Sequence, residues 1–340
     1  MRKSETLRLP YFLTLKIRLI WGFYMLRNGG KMDINRLSEI RSEVGKIIKG
    51  KDEIIVKILA AILAEGHILM EDIPGVGKTT LATSFAKTMS LIYHRVQFTP
   101  DVLPSDLLGF SMYDKQTDKF VFRKGSVFCN LFLADEINRT SPKTQSALLE
   151  AMEERQASVE GHTWKLPEPF IVIATQNPSG ASGTQLLPES QLDRFMIRIS
   201  MGYPAHKDAV EILKTEVWEN LDSVSQIISL DELISLQKFA KTVTVHDSLY
   251  EYMVSIVEKT RDHEYFIGGA SPRATIALLR MSRSMAVLNG RDFVTAEDVQ
   301  RVAEDVLSHR VKLSARAAAE GKRVGACIKQ VLMEITSPRM

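Results

Sequence analysis

Apolar residues at Ile34, Leu37, Ile40, Val44 and Ile47 step by three and four, which predicts an amphipathic helix ended at Gly50. A second stripe, Ile54, Ile55, Ile58, Leu59, Ile62 and Leu63, predicts another helix that stops at Gly66. Short apolar runs then recur between helical stretches: His67–Glu71, Ile92–Phe98, Asn130–Ala134, Phe170–Thr175 and Met196–Ser200. Five such runs alternating with helices predict a parallel sheet covered on both faces. After Tyr203-Pro204 the runs stop and helical periodicity takes over, with start signals at Ser271-Pro272 and at Thr295–Asp298. The pattern therefore divides the chain near Gly202 into an α/β unit over residues 33–201 and a helical unit over residues 202–340. Residues 1–32 belong to neither.

Charge sets that leading segment apart. It carries seven Lys/Arg against one acid, Glu5, a local +6 that turns the formal +3 of the whole chain into −3 over residues 33–340. The chain's positive balance is therefore no argument for a basic nucleic-acid footprint on the folded part. Lys16 and Arg18 interrupt the segment's apolar run, and it has no small-residue cleavage site, so it predicts neither a membrane span nor a secretory signal. Asn28-Gly29-Gly30-Lys31 ahead of Met32 is what a purine-rich ribosome-binding site gives when translated. The expectation is a true start at Met32, with a peripheral amphipathic anchor as the alternative.

The remaining composition, 45% hydrophobic and 25% charged over 340 residues, is that of a globular chain and excludes disordered or collagen-like ones. Cys129 and Cys327 lie far apart without a C-x-x-C, and the seven histidines are scattered. Neither a disulfide framework nor a metal cage of protein ligands alone is expected, and the cytoplasm is the compartment that fits.

The strongest chemical signal is HILMEDIPGVGKTTL, an apolar strand that runs into a Gly-rich turn and then a helix. A phosphate chain needs that arrangement, because small residues free backbone N–H groups to curl around it and the helix N-terminus adds favourable partial charge. Pro74, Gly75, Val76, Gly77 and Thr80 would form the cradle, Lys78 would reach the β and γ oxygens, and Thr79 would offer its hydroxyl to Mg²⁺. The usual G-x-x-x-x-G-K-[ST] pattern is broken at its first position, which is Asp72. A second signal, NLFLADEINR, delivers Asp135 and Glu136 to a strand end. Asp135 would hold the Mg²⁺ hydration shell and Glu136 would orient and deprotonate a water. A third strand, FIVIATQNP, ends in Thr175, Gln176 and Asn177, and Asn177 would project from the same sheet edge toward a γ phosphate or the attacking water. Arg194, past a predicted short helix, and Arg273, at a helix start, are candidates to stabilise transition-state charge, with a helix-end ion pair as the alternative for each.

With these motifs the chain resembles the MoxR family of AAA+ ATPases, in the branch that carries an insert in its second helix. The resemblance runs from Asp33 to about Arg316 through EDIPGVGKTTLA, FLADEINRTSPKTQSALLEAMEERQ, FIVIATQNP, LLPESQLDRF, GASPRATIALLR and GRDFVTAEDV. It implies an α/β nucleotide domain in αβα layers with a C-terminal helical lid, ATP and Mg²⁺ as cofactors, and sites at the subunit interfaces of a hexameric ring. By that resemblance Lys78 and Thr79 are Walker A, Asp135 and Glu136 Walker B, Asn177 sensor 1, Arg194 the arginine finger in the neighbour's site, and Arg273 sensor 2 in its own site. Arg139 is a further interface candidate. Leu103–Gly125 resembles the helix-2 insert, and Glu154–Pro167 reads as a hairpin before sensor 1, both facing the ring pore or, in the plainer reading, solvent. Two departures concern loop stiffness only: Gly125-Ser126 ahead of Walker B, and a Ser/Gly-rich loop over Ser179–Thr184. The implied activity is chaperone-like remodelling of protein clients, with a von Willebrand factor A domain protein as partner. A nucleic-acid motor and a nucleotide-regulated scaffold with little turnover are the alternatives, opposed respectively by the −3 balance and by the complete set Glu136, Asn177 and Arg194.

Overall fold

The computed structural model describes residues 35–177, 187–215 and 221–338. The leading segment 1–32 and the loop Ser179–Thr184 lie outside the described residues. Two helices, α1 (Asn35–Ile47) and α2 (Asp52–Leu63), lead into β1 (Ile68–Glu71), α3 (Lys78–Thr88) and β2 (Tyr93–Gln97). A short helix α4 (Pro104–Leu108) and a hairpin of β3 (Gly109–Asp114) and β4 (Lys119–Lys124) precede β5 (Leu131–Asp135) and α5 (Pro142–Glu154). A second hairpin, β6 (Gln156–Val159) and β7 (His162–Lys165), is followed by β8 (Ile171–Gln176), α6 (Glu189–Leu192) and β9 (Ile197–Ile199).

The five apolar runs are the five strands of one parallel sheet in the order β2-β5-β8-β1-β9. Alternate side chains enter two different cores, as the strand period of two requires. Ile68, Met70, Leu131, Leu133, Ile171 and Ile173 pack toward α1, α2 and α3. Leu69, Phe132, Ala134, Val172 and Ala174 pack toward α5 around Leu148, Leu149 and Met152. This is the αβα layering that the apolar runs of β1, β5 and β8 demand, buried on both faces until near the strand end, whereas the edge strand β2 is half-exposed and carries His94, Arg95 and Gln97.

Every later regular element among the described residues is helical: α7 (His206–Thr215), α8 (Leu230–Thr242), α9 (Asp247–Asp262), α10 (Pro272–Leu288), α11 (Ala296–Leu307), α12 (Ala315–Ala319) and α13 (Val324–Glu334). The expected starts are in place. Ser271 caps α10 by accepting from the Arg273 amide, and Thr295 with Asp298 forms a capping box on α11. These helices close over α2 and β9, where α10 and α8 contact α2 and α11 contacts β9. No helix among the described residues is long and apolar enough to cross a membrane.

Both expected inserts form hairpins, and they touch. Phe122 of β4 stacks on Trp164 of β7 with ring centroids 4.4 Å apart and planes 4° from parallel. Such a pair contributes about 0.5–1.5 kcal/mol beyond its buried area, enough to join two small hairpins into one projection.

Candidate functional site

The phosphate-loop segment has the geometry its glycines permit. Gly75 (φ +82°) and Gly77 (φ +91°) take backbone conformations that L side chains rarely adopt. Together they turn the chain from β1 straight into the first residue of α3, Lys78. The Lys78 ammonium lies back over the loop, donating to the carbonyls of Asp72 (3.1 Å) and Ile73 (3.2 Å). Pro74 and Gly75 are exposed, and Val76, Gly77, Thr79 and Thr80 are half-buried. Beside the loop lies a cavity of about 340 Å³, walled by Ile48 and Lys51 after α1, by Gly75 and Gly77, and by Met201 and Ile212.

Strand register brings the acids to the same edge. Glu71 pairs with Gln176, Ala174 with Ala134, and Gln97 with Asp135, so the ends of β1, β8, β5 and β2 are level. With strands about 4.8 Å apart, Asp135 sits two strands, roughly 10 Å, from the end of β1. Thr175 organises this edge: its hydroxyl donates to Asp135 Oδ1 (2.7 Å) and accepts the Glu136 amide (2.9 Å). Glu136 has φ +57°. Its carboxylate accepts from Gln97 Nε2 and from Arg139 Nη1, each at 2.8 Å. The other oxygen of Asp135 accepts from Arg95 of β2 at 2.8 Å. Asn177 directly follows β8 on this edge. Hard oxygen donors on Asp135 and Thr79 beside a loop built for phosphate fit Mg²⁺, whose preferred partners are carboxylate, hydroxyl, water and phosphate oxygens.

The two remaining arginines are elsewhere. Arg194 donates to the Leu149 carbonyl (2.8 Å) and pairs with Glu153 Oε2 (3.1 Å). Arg273 pairs with the other oxygen of the same carboxylate, Glu153 Oε1. Glu153 belongs to the last turn of α5, and both arginines line a pocket with Gly66 and His67, which precede β1. They therefore lie at the opposite, N-terminal edge of the sheet, a strand length of about 13 Å from the loop. Arg273, expected to serve the nucleotide site of its own chain, thus sits away from that chain's loop. The cause is the docking of α10: Ser271 donates to Asp193 Oδ2 (2.8 Å), and Arg310 reaches Asp193 Oδ1 (2.8 Å) with its side chain only 3% exposed. Those contacts fix the start of α10 on the turn between α6 and β9.

The same edge is held by His67, fully buried and pushed down to about 4 by that burial. The hydrogen bonds assign its tautomer: Nδ1 accepts from the Val172 amide and Nε2–H donates to the Met152 carbonyl, both at 3.0 Å. A neutral ring thus ties β8 to the end of α5.

Comparison with known proteins agrees with this layout. Residues 67–197 match the ATPase family associated with various cellular activities (AAA), and residues 258–331 match the AAA lid domain. Chaperone MoxR1 of Mycobacterium tuberculosis is 38% identical over 91% of this chain and 84% of its own length. Protein MoxR of Methylorubrum extorquens is 30% identical over 80% of this chain and 86% of its own. The chain belongs to the MoxR family of AAA+ ATPases. YeaC of Bacillus subtilis, an uncharacterised protein, is 43% identical over 89% of this chain and 95% of its own length. A crystal structure of a candidate ATPase from Cytophaga hutchinsonii superposes with a TM-score of 0.85 at 38% identity, covering 96% of this chain and all of that one. Proteins of the AAA+ class are typically oligomeric.

In this MoxR-family chain, sequence reading placed the loop, Asp135, Glu136 and Asn177 on one sheet edge, as found. It missed four residues that hold them or the arginines. Arg95 and Gln97 sit on β2, whose exposure pattern is mixed, so nothing in its run marks them as partners of Asp135 and Glu136. Thr175 stands in a motif already singled out, and its place opposite Asp135 follows from parallel register. Glu153 carried no signal, because its two arginines lie 41 and 120 positions away.

Proposed function

We propose that this MoxR-family protein is a Mg²⁺-dependent ATPase that converts ATP to ADP and phosphate at sites shared between neighbouring subunits of a ring. The observation that carries this is the division of labour across the sheet. Loop, Asp135, Glu136 and Asn177 occupy the C-terminal edge, while the half-exposed Arg194 and Arg273 occupy the N-terminal edge. A chain that holds both halves of an ATPase site at opposite edges needs a second copy to close it.

The roles follow from reach and charge. Backbone N–H groups of Gly75–Thr80 bind the phosphates, and Lys78 exchanges its two carbonyl partners for β and γ oxygens. Base and ribose occupy the 340 Å³ cavity beside Gly75 and Gly77. Thr79 and Asp135 would hold Mg²⁺, which would neutralise charge on the phosphates. Glu136 accepts the proton of the attacking water, and Asn177 orients that water or the γ phosphate. Arg194 and Arg273 of one subunit meet the phosphates of the next. Arg139 suits that part less well, because it lies at the C-terminal edge beside the loop and acids of its own chain, paired with Glu136.

Hexameric closure, a protein client remodelled in chaperone fashion and a von Willebrand factor A domain partner come with the family reading. The name of the M. tuberculosis relative, Chaperone MoxR1, supports the chaperone part. The cytoplasm is the proposed compartment, in keeping with two free, buried cysteines.

The test is steady-state ATP turnover per subunit against protein concentration, with Mg²⁺ present, for the parent chain and Glu136→Gln. The expected result is a rate that climbs with concentration and falls by at least about 10²-fold in the variant, with ATP binding retained. Undiminished turnover in Glu136→Gln would overturn the assignment of the base.

A further inference from the structure

Asp72 stands where the phosphate-loop pattern has its first glycine, and the proposed reaction gives it no part. It is buried, 4% exposed, and its carboxylate is fully engaged. Oδ1 accepts from the Ser200 hydroxyl (2.7 Å) and the Gly202 amide (2.9 Å), and Oδ2 accepts from the Met201 amide (2.6 Å). Those three donors form the stretch that leaves β9 for the helical part of the chain. The main chain of Asp72 faces the other way: its amide donates to the Gln176 carbonyl (3.3 Å), and its carbonyl receives Lys78 Nζ (3.1 Å). One residue therefore bolts the phosphate loop to Met201 and Gly202, and these two residues line the same cavity as Gly75, Val76 and Gly77.

We propose that Asp72 is a positioning residue that locks the nucleoside cavity to the phosphate loop, so that contacts to base and to triphosphate add within one ligand. The inference rests on the nucleotide reading of the site. Two binding surfaces contribute additively to one ligand only if their separation is preset; a wall free to drift makes the ligand order it on binding and returns part of the nucleoside contribution as ordering entropy. A glycine at position 72 would supply the backbone freedom of the usual pattern and none of this anchorage. Three hydrogen bonds donated to a buried carboxylate are strong enough to fix a chain segment that has left its strand. The same bolt ties loop and wall to the segment that begins the helical part, beside the Lys51 ammonium held by the Tyr203 carbonyl at 2.8 Å.

The experiment compares ATP with inorganic tripolyphosphate, which has the phosphate chain and no nucleoside. Affinities of both, with Mg²⁺, are measured by calorimetric titration for the parent protein, Asp72→Gly and Ser200→Ala. Asp72→Gly is expected to lose about tenfold or more in ATP affinity while tripolyphosphate stays within about twofold. Ser200→Ala removes one donor and leaves the carboxylate its two amides, so it is expected to fold as the parent does and shift ATP alone in the same direction by about twofold to threefold. Equal losses for both ligands in either variant would overturn the proposal, since Asp72 would then shape only the phosphate loop; so would unchanged ATP affinity in both variants. A parent protein that binds neither ligand would overturn the nucleotide reading itself, an outcome separate from the others because it precedes any substitution.

Discussion

Thr175 shows how much of the proposed catalytic edge depends on one hydroxyl. It is fully buried, and through a single oxygen it holds the Asp135 carboxylate and the Glu136 amide, so two adjacent acids at the end of β5 are oriented by a residue on the neighbouring strand. Replacement by Val keeps the shape and removes both bonds. The Glu136 amide then loses its acceptor, at a cost of about 1–3 kcal/mol, and Asp135 loses a donor. Because the loop, Lys78 and the cavity are untouched, Thr175→Val is expected to bind ATP within about twofold of the parent while kcat falls on the order of tenfold. ATP titration and steady-state turnover on the same preparation check this. A parallel loss in affinity would mean that the threonine supports the fold of the edge and not the aim of its acids.

At the scale of elements, β1, β8 and α5 meet at the N-terminal edge through a histidine that has to stay neutral. Protonation would put a hydrogen on Nδ1 of His67 against the Val172 amide, donor facing donor. The folded-state value of about 4 lies below the ordinary 6.5, so the unfolded chain takes up the proton first. Stability is therefore complete above pH 6.5 and is lost as pH falls from 6.5 toward 4, by up to about 3 kcal/mol for His67 alone at ~1.4 kcal/mol per unit. His309, likewise buried and lowered well below 6.5 by that burial, adds a loss of the same sign. Urea unfolding at pH 7.5, 6 and 5 is expected to show the decline. In His67→Gln the baseline drops while the slope over this window becomes shallower, and an unchanged slope would remove His67 as its source. Elements of this kind explain what the sequence could and could not disclose. β1, β5 and β8 were legible because burial on both faces leaves apolar runs, and the acids were legible because a buried run must end before a carboxylate. Arg95 and Gln97 were not, since their partners are reached across a sheet some 40 positions away, where no periodicity leads. The position of Arg273 was not legible either. Its motif marks a helix start, but where that helix starts in space is decided by Ser271 meeting Asp193 and by the buried Arg310, contacts between units whose packing no local pattern encodes.

For the whole molecule, the separation of the two half-sites decides what a mixture of defective chains will do. On the proposed roles, a Lys78→Ala chain is expected to lose its grip on a triphosphate and to keep Arg194 and Arg273 at its N-terminal edge, and an Arg194→Ala chain to have the reverse defect. If both halves acted within one chain, mixing the two variants would restore nothing, because every site would still lack one component. If they act across an interface, an Arg194→Ala subunit followed by a Lys78→Ala subunit forms one complete site. In a ring assembled at random from equal amounts, about a quarter of the interfaces have that order, so turnover is expected to recover to about a quarter of the parent value. The same mixture made with Arg273→Ala asks the question of the second arginine separately, and recovery is expected there too, because Glu153 holds both side chains at one edge. Each variant alone must be nearly inactive, and subunit exchange must be confirmed by mixing differently labelled parent chains. Recovery with Arg194→Ala and none with Arg273→Ala would leave the first arginine in the neighbour's site and return the second to a structural ion pair at the foot of α10.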